Sequence, residues 1–130
     1  MSLENDLKEM LEYSKTENDI NKDSLHYATQ FLELSFILPL NTEEYYVDLH
    51  PDGDTMIWCR PANKSIIILF SGCGEVSYAF CDFSKKPTEK CRGSFMFGGD
   101  YVPRYFLGLL GDVSRAIKSD LNKWGNKNGQ

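Results

Sequence analysis

At 130 residues and 14.9 kDa the chain has room for one ordinary domain and none for a second core, which excludes a large multidomain enzyme. A hydrophobic content of 42% and an aromatic content of 13% fill a packed interior and argue against disorder. Fourteen basic residues against 19 acidic ones leave a net charge of -5, which disfavours a sequence-independent grip on nucleic acid or an anionic membrane and points to a protein partner.

The opening segment MSLENDLKEMLEYSK is charged and amphipathic, unlike a secretory leader, so a cytoplasmic protein is expected. Leu3, Leu7, Met10 and Leu11 recur at the spacing of a short amphipathic helix, with Ser2 available as its cap. The polar stretch KTENDINK reads as a linker, leaving residues 1–20 as a loosely attached helix on a single domain. A second helix is predicted from a cap at Asn21 or Asp23, with Leu25, Ala28, Phe31, Leu32, Ser35 and Phe36 in one stripe, ending near Pro39 and Asn41.

The period then changes to two. Tyr45, Val47 and Leu49 alternate with Tyr46, Asp48 and His50, and Pro51-Asp52-Gly53 turns the chain into a strand over Thr55 to Arg60. A second turn over Pro61 to Lys64 leads to Ser65 to Ser71, whose run IIILF reads as a central strand. Glu75 to Asp82 alternates Val76, Tyr78 and Phe80 with smaller residues, which predicts a fourth strand. An open loop carrying Lys85, Lys86, Lys90 and Arg92 is expected next, then a fifth strand over Gly93 to Phe97 that is broken by Gly98 and Gly99. A long helix capped at Asp100 places Val102, Phe106, Leu109, Leu110, Val113, Ile117 and Leu121 on one side, and residues 125–130 form a frayed tail. The fold class expected is α+β, with two N-terminal helices, an antiparallel meander of four to five strands, and a long C-terminal helix packed on the sheet.

Chemistry is harder to place. The four cysteines, Cys59, Cys73, Cys81 and Cys91, contain no C-x-x-C pair, so neither a metal site nor a cofactor is expected. Asp48, Asp52 and Asp54 with Gly53 resemble half of a calcium loop, but Cys59 stands where the closing glutamate belongs, so a hairpin turn with solvated acids is the better reading. Cys73 lies between glycines in SGCGE with no cation nearby to lower its pKa, and His26 and His50 have no adjacent nucleophile, so no catalytic residue is assigned and a small Cys-dependent enzyme ranks last. The loop of Lys85, Lys86, Lys90 and Arg92, with Phe83 beside it, is a candidate nucleic-acid contact that the overall charge opposes.

Charge distribution is the stronger signal. Residues 1–44 hold ten acids and three bases, a net of -7, so the rest of the chain is slightly basic. An acidic helical front suits docking on a basic protein surface, with Glu9, Glu12, Glu17 and Asp19 as contacts and Tyr45 and Tyr46 as aromatic anchors. An apolar outer sheet face would also allow a homodimer.

Ala28, Phe31 and Leu32 on a helix, the Pro51-Asp52-Gly53 turn, Trp58 on a strand, then Gly74 and Tyr78 follow an order that resembles a group of small uncharacterised accessory proteins of bacterial mobile elements and prophages, over about residues 21 to 110. That resemblance implies a non-enzymatic protein that binds and blocks host machinery, such as a CRISPR effector.

Overall fold

The computed structural model describes residues 3–14, 20–34, 44–98 and 101–128. Two helices, α1 (Leu3–Ser14) and α2 (Lys22–Glu33), precede five strands, β1 (Tyr46–Leu49), β2 (Thr55–Cys59), β3 (Lys64–Phe70), β4 (Glu75–Asp82) and β5 (Glu89–Met96), and α3 (Arg104–Asn128) follows. The class is therefore α+β, built on one antiparallel sheet with strand order β1-β2-β3-β4-β5.

Local chemistry explains the boundaries. Asn21 caps α2 through its side-chain oxygen, which accepts from the backbone N–H groups of Asp23 and Ser24. The same side chain donates to Asp54 at 2.9 Å, and the backbone N–H of Asn21 donates to Gly53 O, so the cap is also tied to the first hairpin. Gly53 takes φ 94°, a left-handed conformation that a side chain would resist. Leu34 closes α2; the predicted continuation through Ser35 and Phe36 to Pro39 and Asn41, like a cap at Ser2, lies outside the described residues.

Two expectations need correction. β5 begins at Glu89 rather than Gly93, because Glu89 to Arg92 pair in register with Asp82 to Ala79 and extend the ladder into what the basic residues had suggested was open loop. α3 starts at Arg104 rather than after Asp100: the carbonyl of Pro103 accepts from Leu107 N, and a proline there sacrifices no donor because the first-turn N–H groups have no helical partner. Asp100 itself lies outside the described residues.

Period-two alternation divides the sheet into two faces. Ile57 pairs with Ile68 and Ile68 with Tyr78, while Cys59, Ile66 and Phe80 form the next row, and all of these are buried. Onto this inner face pack α2 and α3, and Phe31 of α2 meets Phe70, Phe97 and Phe106 edge-on with centroids 5.3 to 6.3 Å apart. Gly93 leaves the space that Tyr78 fills, since a Cβ there would stand 2.7 Å from the Tyr78 hydroxyl. Ser24 is buried at the junction, where its hydroxyl donates to the Phe70 carbonyl and accepts from Thr55 N at 2.7 Å. α1 packs on α2 and β1 through Leu7, Met10 and Val47.

At the β3–β4 end, Asp82 accepts from Ser84 Oγ at 2.6 Å and from Lys64 Nζ at 3.0 Å. The Ser84 hydroxyl and then Lys64 lower its carboxyl to about 2. Because the folded value lies below the ordinary carboxylate value, this group's contribution is present above about pH 4 and is lost as pH falls from there to about 2. Asp82→Asn is therefore expected to flatten the fall of Tm between pH 4 and 2 relative to the unaltered chain. Parallel profiles in thermal melts would refute this account of the cluster.

Candidate functional site

The residues singled out in the sequence fall on three different parts of the molecule. Asp6, Glu9, Met10 and Tyr13 stand on one side of α1 at three- and four-residue spacing. With Ile20, Val47 and Leu49 they line an open cleft of about 420 Å³ between α1 and β1, in which the two carboxylates stand among apolar side chains. Glu9 thus belongs to a real concavity, and Glu12 lies exposed on the adjoining strip of the helix. Glu17 and Asp19 lie outside the described residues. Asp6, Tyr13 and Leu49 were not singled out from sequence, although the helical spacing from Glu9 would have reached the first two.

Tyr45 is a correction. Only 3% of it is exposed, so it cannot anchor a partner. It shares the parity of Val47 and Leu49 and faces the core, where burial, and then the neighbouring Cys59, push its hydroxyl well above the ordinary tyrosine range. Tyr46, one residue on, is 56% exposed on the opposite, outer face of the sheet. Its ring lies 4.8 Å from that of Trp58, whose indole N–H donates to Asp48 at 2.7 Å. Glu9 and Tyr46 therefore sit on separate surfaces rather than one.

The outer face is continuous across all five strands. One row runs Tyr46, Trp58, Ile67, Ala79, Arg92 and the next runs Asp48, Met56, Leu69, Ser77, Ser94. Among the described residues, the helices pack on the inner face and leave this one open.

The basic group is split as well. Lys85 and Lys86 are exposed in the β4–β5 turn, with Lys85 bonded to Glu89 at 3.0 Å, whereas Lys90 and Arg92 lie on β5 with side chains on the outer face. Phe83 is not free for stacking on that side, because the Arg60 guanidinium sits 5.2 Å from its ring centre.

The acids around Gly53 serve the turn. His50 Nδ1 lies 2.8 Å from Asp52, which the backbone N–H of Asp54 and then His50 hold below the usual carboxylate range, while partial burial, and then Asp52, raise Asp54. Cys73 is exposed with its sulfur 3.1 Å from Ser71 Oγ, and hydrogen bonds from that hydroxyl and the Glu75 backbone draw the thiol below its ordinary value. Among the described residues no three His, Cys, Asp or Glu side chains gather as a metal site, and no helix is long and apolar enough to cross a membrane. Comparison with protein-family models, curated proteins and solved structures finds no match to this chain.

Proposed function

We propose that this chain is a small, acidic, non-enzymatic protein-binding module that docks on a basic protein surface through the cleft between α1 and β1. The observation that supports this reading is the coincidence, in one concavity, of the carboxylates of Asp6 and Glu9 with the apolar Met10, Tyr13 and Leu49. An apolar lining flanked on the α1 side by two carboxylates fits a lysine- or arginine-flanked hydrophobic segment, and the negative charge speeds encounter and selects against acidic partners. The biological setting we propose is a bacterial mobile element or prophage, with a host defence complex such as a CRISPR effector as the target, acting in the cytoplasm.

The test is affinity capture from a bacterial lysate, with and without nuclease, using the tagged chain and the double variant Asp6→Lys, Glu9→Lys. A protein partner that survives nuclease is expected to bind the double variant at least about tenfold more weakly, since like charges opposed across an interface cost several kcal/mol. Equal capture by both forms would sink the proposal. A second reading has one observation behind it: the strand register places Lys90 and Arg92 on the same open face as Tyr46 and Trp58, a combination on which single-stranded bases can stack. It predicts recovery that disappears with nuclease and an affinity that falls steeply with salt.

A further inference from the structure

We propose that the outer face of the sheet docks on a second copy of this chain, the two faces related by a two-fold axis running along β3. The face is asymmetric in a way that makes it complementary to itself. In its two central rows β1 and β2 carry the bulky Tyr46, Met56 and Trp58, whereas Ser77 and Ala79 on β4 and Ser94 on β5 are small, with the long Arg92 and Met96 confined to the β5 edge. A rotation of 180° about β3 keeps each row level and exchanges the two halves. Trp58 then stands over Ala79 of the other copy, Met56 over Ser77, and the exposed Ile67, 43% open in the single chain, over its own counterpart. Trp58 and Met56 thus meet the recess left by Ala79 and Ser77 on both sides of the axis at once, as the aligned packing of two sheets about 10 Å apart requires.

Charge follows the same exchange. Asp48 lies on β1 and Arg92 with Lys90 on β5, so each acid is carried to the basic edge of the other copy. Tyr46 comes to lie over Arg92, a cation–π arrangement, and Asp48 is then a diagonal neighbour of that same guanidinium. A strand of nucleic acid would find the carboxylates of Asp48 and Glu75 on this face beside Lys90 and Arg92, whereas a second copy pairs the two signs, which is why a second copy is the better occupant. The surface does not involve the α1–β1 cleft, so the two proposals stand or fall separately.

Five strands about 4.8 Å apart, each offering about five residues at about 3.4 Å, present roughly 400 Å² of plane area. That is below the roughly 800 Å² per partner of a standard interface, so a dimer with a dissociation constant in the micromolar range is expected. Sedimentation equilibrium of the purified chain should show reversible association of the 14.9 kDa species. Ile67 lies on the axis, so Ile67→Glu and Ile67→Lys should each weaken association at least about tenfold by opposing like charges, and an equimolar mixture of the two should restore it. Both variants must first unfold cooperatively in urea. Should either fail, Ala79→Arg, which fills the recess beneath Trp58, carries the same expectation of a monomer. The proposal is overturned if the unaltered chain remains monomeric at about 1 mM, if folded Ile67 variants associate normally, if their mixture stays monomeric, or if the face binds oligodeoxythymidylate as a monomer.

Discussion

Phe31→Ala is expected to cost about 3–5 kcal/mol, the range for removing a fully buried aromatic ring from a core that cannot collapse around the loss. The ring is where three parts of the chain meet α2: Phe70 from β3, Phe97 just after β5, and Phe106 from α3. Each neighbour belongs to a different element, so no single shift can refill the space. A domain of this size has about 5–15 kcal/mol in total, which puts the variant near the threshold of folding. Urea denaturation should show a lower midpoint at an unchanged slope. A cost under about 1 kcal/mol would mean that the four rings are not the keystone described here.

Ser24→Ala removes a single oxygen yet is expected to cost about 2–4 kcal/mol. That hydroxyl satisfies two buried backbone groups, the Phe70 carbonyl and the Thr55 amide, and alanine leaves both without a partner away from water. The loss exceeds the roughly 1 kcal/mol expected for removing an ordinary exposed helix cap. It also falls where α2 is fastened to β2 and β3. Chemical denaturation of Ser24→Ala beside Asn21→Ala checks the ranking. If the cap variant proves the more damaging, the Ser24 bridge is not what fixes the helix to the sheet.

Much of the fold could be read before the structure, because alternation and turn chemistry are local. The limits of β4 follow from Val76, Tyr78 and Phe80 alone, and the hairpin from Pro51, Asp52 and Gly53. The start of β5 could not be read so, since Glu89, Lys90 and Arg92 are charged and leave Cys91 as the one apolar residue, too little to show alternation before β4 offers a partner. Ser24 was invisible for a related reason: a serine in a helix looks solvated until the strand end it fastens is in place. The candidate surfaces were legible only in parts. Tyr45 and Tyr46 form one aromatic pair as text, but successive side chains on an extended chain point to opposite faces, and their alternation with Val47 and Asp48 already carried that distinction. The charge imbalance drew attention to α1 as an acidic element, while the cleft needed β1 to supply its second wall.

The attachment of α1 bears on how the molecule opens. β3 is paired on both sides and covered by two helices, whereas α1 rests on α2 and on the short edge strand β1. Detaching α1 breaks no rung of the sheet and leaves the Phe31 cluster intact, so amide exchange is expected to show α1 opening at a lower free energy than the sheet. On that expectation the wall that carries Asp6 and Glu9 adapts to what it meets while β2, β3 and β4 stay fixed. A partner seated in the cleft would stabilise α1 and protect its amides from exchange, and part of its binding free energy would be spent ordering that helix.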